Sequence, residues 1–345
     1  MKKVFVLALA CALGVLPAAP RIVAAQSAAR TTACAAVDDL HFVCGLTNVE
    51  DLLPVDGGRW LVGGSLKVGS AGLYLIDTAG KSAKTVALSL ASQPDPIYVG
   101  CAAPKLTGLS THGLDVVSGS GGVSTVYAVN HGGRDSIEVF RLNPEKAAAE
   151  WIGCEVLPEG FDGNSVAALP RGGGFVVSKF TDPRDKQAFQ KVLAGQINGV
   201  VYQWSPGKGF SEVPGTRLSG DNGIVVSADG KWLFVNSYGT HEIYRVPFGS
   251  KGERASVKVD FNPDNLRWAP DGTIFATGQF LNPKKLQGLH GWATVKLDPR
   301  TMSVTPVVKE PGHREFDDAT TAVQVGQTLW FGTFRGDRIA YRSVP

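Results

Sequence analysis

Charge is scarce in this sequence. Of its 345 residues only 19% are Asp, Glu, Lys or Arg, where an ordinary globular chain has about a quarter, and the formal net charge is just +3. No Lys/Arg block or stripe follows the chain to track phosphates, so a nucleic-acid partner is not expected. CxxC and HxxxH spacings are also missing, which leaves a zinc site without its ligand pattern. No stretch reads as an interdomain linker, and the mature chain holds no apolar run long enough to span a membrane.

Glycine is abundant instead, at 42 residues. Much glycine with little charge is the balance of many short strands joined by tight turns. All-β architectures often exceed about 200 residues as one unit, so residues 26–345 are read as a single domain. Residues 1–25 stand apart: Lys2 and Lys3 precede an apolar run over 4–16, and Val23-Ala24-Ala25 ends the segment in small residues. That is the layout of a secretory signal, implying a periplasmic or secreted destination. An alternative makes Ala8-Leu9-Ala10-Cys11 a lipid-attachment site, but the apolar region before Cys11 is short and continues past it, which favours cleavage near Ala25 or Gln26. Cys34, Cys44, Cys101 and Cys154 then remain for an oxidising compartment. Of their three pairings, Cys34 with Cys44 and Cys101 with Cys154 is expected, because the first closes a short local loop.

The strands carry a repeat. Asn222-Gly223-Ile224 opens an apolar strand that reaches an Asp229-Gly230 turn, then Trp232-Leu233-Phe234-Val235, then two further alternating strands at His241–Val246 and Ala255–Val259. Four short strands in succession make one propeller blade. The same frame recurs from Glu50-Asp51-Leu52 to Asp56-Gly57, from His112-Gly113-Leu114 to Gly121-Gly122, from Asn164-Ser165-Val166 to Gly172-Gly173, and from Asp264-Asn265-Leu266 to Asp271-Gly272. A weaker copy runs from Ala319-Thr320-Thr321 to Gly326. Six copies predict an all-β, six-bladed β-propeller of four-stranded blades. A β-sandwich with coincidental Asp-Gly turns is the competing architecture, and it does not require a polar residue at the same phase of every copy.

In a propeller the first strand of each blade lines the central channel, so these opening residues converge at one mouth. Glu50, Asn164, Asn222, Asp264 and Asn265 would there present two carboxylates and three amide carbonyls, hard oxygens with the charge to hold Ca²⁺. Taken singly, Asn-Gly and Asp-Asn are common turn dipeptides and Glu50 could simply lead a strand; it is their common phase that argues for a metal. His112 opens one inner strand and His131 follows the antiparallel strand after it, so both come to the same mouth, where a histidine pair could serve as a general base.

The order Glu50-Asp51-Leu52, His112-Gly113-Leu114, Val129-Asn130-His131, Asn164, Asn222-Gly223-Ile224 and Asp264-Asn265-Leu266 resembles the paraoxonase/arylesterase family of six-bladed propellers. The closing run from Trp330-Phe331-Gly332 to Tyr341-Arg342 resembles that family's last blade. The resemblance implies an active-site calcium on Glu50, Asn164, Asn222, Asp264 and Asn265, with His112 and His131 as the histidine pair. It also implies a second, structural calcium on Asp51, the Leu114 carbonyl and position 165, where Ser165 departs from the family's acid. The chain is similar as well to the gluconolactonase/regucalcin family, whose ligands would fall on Glu50, Asn164 or Asn222, and Asp264; the histidine pair favours the first likeness. The expected activity is calcium-dependent hydrolysis of a small-molecule lactone or aryl ester, with Lys179, Phe180 and Phe280 lining the pocket. A metal-stabilised binding propeller without catalysis is the alternative, since propellers host many functions.

Overall fold

A computed structural model describes residues 34–344 apart from 99, 250 and 285; the expected signal segment, with Cys11, lies outside the described residues. The chain forms six sheets in succession, each laid down from an inner strand outward. Their inner strands are Leu52–Val55, Thr111–Ser118, Asp162–Ala168, Asp221–Val226, Asn262–Trp268 and Ala319–Val325. Each packs against the inner strands of its two neighbours, and the last returns to the first, so the ring closes. The protein is therefore a six-bladed β-propeller, and the repeat read from the sequence is the blade. The turn glycines explain the punctuation: Gly230 and Gly272 have φ of +70° and +80°, conformations that side chains with a Cβ rarely adopt.

Six apolar clusters sit between the blades, one per interface. Alternation along a strand feeds two of them at once. In Trp60–Gly64, Leu61 joins Tyr74 and Trp330 between blades six and one, while Trp60 and Val62 join Leu114 and Phe140 between blades one and two. That strand is buried on both faces, and every residue in it is apolar.

Two departures from a plain four-stranded blade matter. Blade six takes its outermost strand from the start of the described chain, His41–Cys44 pairing antiparallel with Arg338–Ser343, so the two ends of the ring are stitched into one sheet. Blade two carries a fifth strand: Ala87–Leu90 runs parallel to the outer strand Ala148–Val156. The two disulfides are Cys34 with Cys44 and Cys101 with Cys154, as the short-loop argument expects. The first ties Cys34, at the start of the described residues, to the closing strand, and the second pins the segment that follows the fifth strand. Among the described residues no helix is long and apolar enough to cross a membrane.

Candidate functional site

The inner strands share one irregularity. In blades two to six the register between the first and second strands slips at the same place, between Thr111 and Leu114, Gly163 and Val166, Asp221 and Ile224, Pro263 and Leu266, and Ala319 and Thr321. A bulge of this kind re-aims the side chains of its extra residue. Here it lets two consecutive residues of one strand, such as Asp264 and Asn265, both be buried at the channel. The Gly113 and Gly223 positions are close approaches rather than turns. A Cβ on Gly113 would stand 2.3 Å from the Asn164 carbonyl oxygen, and one on Gly223 2.3 Å from that of Asp264.

The bulged segments meet around a cavity of about 270 Å³. Its polar floor is Glu50, His112, Asn164, Asn222, Asp264 and Thr320, one residue from each blade; its walls are Leu66, Phe180, Phe189, Tyr238, Leu281 and Phe334. Asn265 joins the floor by donating from Nδ2 to Glu50 Oε1 at 2.6 Å. Five residues named from the sequence, Glu50, Asn164, Asn222, Asp264 and Asn265, are thus brought together, each at most 6% exposed. Glu50 Oε2 and the Oδ1 atoms of Asn164, Asn222 and Asn265 are buried without a hydrogen-bond partner. Buried polar atoms are nearly always satisfied, and four orphaned oxygens gathered on one floor fit the ligand set of a hard cation.

Electrostatics agree with the donor set. Burial, then the nearby Asp264 and Asp51, push the Glu50 carboxyl well above its usual range. Burial likewise raises Asp264, to about 7, against hydrogen bonds from Gln279 and Asn222. A divalent cation among these oxygens would favour their charged forms. Residues that the sequence reading did not single out hold the ligands in place. Gln279 donates from Nε2 to Asp264 Oδ2 at 2.8 Å and accepts from the Tyr238 hydroxyl at 2.9 Å, and Thr320 donates to the Glu50 carbonyl at 2.5 Å.

His112 and His131 meet as well. His112 Nδ1 lies 3.0 Å from His131 Nε2, and His131 Nδ1 lies 2.8 Å from Asp135 Oδ1. The carboxylate end fixes the tautomers: His131 donates from Nδ1 to Asp135, so its Nε2 accepts from His112 Nδ1, and His112 Nε2 turns toward Glu50 Oε1, 3.9 Å away. Burial, with His131 beside it, lowers the His112 imidazole to about 3, so it is neutral at pH 7. Asp135 was not foreseen, although its position four residues after His131 in a tight turn could have suggested it.

Other expectations need correction. Asp51 and the Leu114 carbonyl do not face an open metal site. The Arg267 guanidinium contacts the Asp51 carboxylate and donates to the Leu114 carbonyl at 3.1 Å, so a second calcium does not fit there. Ser165 instead receives the Ile224 N–H on its hydroxyl oxygen at 3.4 Å. Of the pocket residues named from the sequence, Phe180 lines the cavity, whereas Phe280 packs on Phe261 with ring centroids 6.1 Å apart and the Lys179 ammonium stands 4.0 Å from Asp182. A separate acidic group, unnoticed in the sequence, brings ligand atoms of His290, Asp317 and Asp318 within 4.8 Å of one another and could hold a metal, though the Arg335 guanidinium already lies against Asp318.

No protein-family model matches the chain, and no curated protein matches it by sequence. Solved structures do. A luciferin-regenerating enzyme is 12% identical with a TM-score of 0.58, over 88% of this chain and 92% of that one. A gluconolactonase from Xanthomonas campestris is 16% identical with a TM-score of 0.53, over 89% of each chain. At such identities the likeness establishes the shared propeller fold.

Proposed function

We propose that this protein is a metal-dependent hydrolase of lactones or aryl esters, with calcium held by Glu50, Asn164, Asn222, Asp264 and Asn265. The observation that carries the reading is the conjunction on one cavity floor of four orphaned ligand oxygens and a neutral histidine whose Nε2 points inward. On these residues calcium would supply Lewis-acid polarisation of a substrate carbonyl. His112 Nε2 takes the proton of a water as that water's oxygen bonds to the carbonyl carbon. The same nitrogen returns the proton to the departing alkoxide or aryloxide when the carbon–oxygen bond breaks. His131 and Asp135 hold the His112 ring and steady its transient positive charge.

The walls speak to substrate. Leu66, Phe180, Phe189, Leu281 and Phe334 offer no hydrogen bonds, so each hydroxyl of a sugar lactone buried among them would cost about 1–3 kcal/mol. Alkyl or aryl groups suit them better. A sugar lactonase is the second reading, favoured by the fold it shares with a gluconolactonase, but fold alone decides no function.

Hydrolysis of alkyl lactones, phenyl acetate and gluconolactone by the mature protein, with calcium and after chelation, tests both. Turnover of the apolar substrates should vanish with the chelator and return with calcium, and His112→Gln should cut kcat about 10²- to 10⁴-fold while calcium uptake persists. Chelator-insensitive turnover, or an unimpaired His112→Gln, would overturn the mechanism; a preference for gluconolactone would move the assignment to the second reading.

A further inference from the structure

We propose that Arg267 is a resident cation of the channel: its guanidinium fills a cage of oxygens that would otherwise take a second hard metal ion, and from there it ties three blades together. Arg267 lies on the inner strand of blade five, three residues past Asp264 and so beneath the cavity floor, and is 5% exposed. Its Nη2 contacts the Asp51 carboxylate of blade one and donates to the Leu114 carbonyl of blade two at 3.1 Å. Its Nη1 donates to the Leu266 carbonyl of its own strand at 2.7 Å, and Nε reaches the Leu52 carbonyl at 3.4 Å. The Asp51 oxygens are further held by the N–H groups of Leu52 at 2.9 Å and Leu114 at 2.7 Å.

One carboxylate and three carbonyls form the donor set of a calcium ion, here gathered around a side chain. The guanidinium touches the Asp51 carboxylate and the two charges pair, while the nearby Asp115 carboxylate accepts the Ala168 N–H at 2.6 Å. A guanidinium stays protonated at every working pH and cannot be chelated. Removal of metal from the floor above therefore leaves this lower joint of the ring intact, whether or not the floor is catalytic.

The test compares calcium stoichiometry by titration calorimetry and thermal unfolding, with and without calcium, for the mature chain and its Arg267→Ala variant. Without metal the variant should unfold at a clearly lower temperature, since truncation strands the Asp51 charge. With calcium it should recover much of the loss and bind one more ion per chain than wild type. Arg267→Lys should gain no ion, and the neutral-cage pair Asp51→Asn with Arg267→Met should fold with neither an extra ion nor calcium-dependent recovery. Equal stoichiometry in wild type and Arg267→Ala, an Arg267→Ala chain that calcium does not restore, or calcium-dependent recovery in the neutral pair would each overturn the proposal. A wild type that binds no calcium at all would sink the reading of the floor, while the difference between variant and wild type would still decide this one.

Discussion

Asp115, one residue beyond Leu114, shows how a single side chain near the channel sets a pH response. Its Oδ2 accepts the Ala168 N–H at 2.6 Å, yet burial outweighs that bond and the nearby Arg267 and pushes the carboxyl from 3.8 up to about 6. Because the folded value lies above the unfolded one, the folded state binds the proton more tightly. The associated stability is present below about pH 4 and is lost as pH rises through about 6. At pH 7 Asp115 is a liability. Asp115→Asn, which keeps an acceptor for Ala168, should be more stable than wild type at pH 7 by on the order of 1–2 kcal/mol, with the gap closing toward pH 4. Denaturant midpoints across that range check it, and a wild type that is the more stable at pH 7 would mean that Arg267 outweighs the burial cost of the Asp115 charge.

At the scale of the strand, the bulge and its glycines build the site. Gly223→Ala would drive a Cβ into the backbone of Asp264 and Asn265, where contacts of 2.3 and 2.5 Å leave no room. The expected result is a loss of about 1–3 kcal/mol in stability and weaker calcium binding, read from unfolding and calorimetry; an unchanged calcium affinity would show that blade five absorbs the shift. These elements also mark what the sequence discloses. Glu50, His112, Asn164, Asn222 and Asp264 were legible because each stands six to nine residues before its own turn, a local pattern repeated within one chain. Arg267 was not, because its partner Asp51 lies 216 residues away and only ring closure brings the two together. Tyr238 follows its blade's second strand and Gln279 ends its own, where the repeat has no polar signature to betray them. Phe280 is one residue past Gln279, and strand alternation turns it away from the cavity, a parity that composition alone does not show.

For the whole molecule, closure is the organising fact. Six blades and their order were legible, since turn and strand recur in phase; the return of His41–Cys44 to blade six was not, because an isolated four-residue strand carries no sign of its partner. The Cys34–Cys44 bridge, spanning 10 residues, restrains the segment that delivers this strand. Its removal by Cys34→Ser with Cys44→Ser should cost about 2–3 kcal/mol, seen as a lower unfolding midpoint with calcium stoichiometry unchanged. A lost ion instead would tie the floor to the closing seam.

The extra strand of blade two bears on how these molecules meet one another. Outer strands of a propeller present unpaired N–H and C=O groups, and a long one is a template for pairing with another chain. Four of the six here are only four residues long, and that of blade five, Val304–Glu310, is broken by Pro306 and a register shift. The nine residues of Ala148–Val156 make the longest rim. It is this rim that the chain covers with Ala87–Leu90, then with the N–H of Ala91 on the Trp151 carbonyl, the N–H of Asp95 on the Ile152 carbonyl and the Tyr98 carbonyl on the N–H of Cys154. The Cys101–Cys154 bridge fastens the cover in place. The edge best suited to seed sheet-to-sheet association between molecules is thus occupied by the protein itself, and reductive release of that bridge would loosen the guard over it.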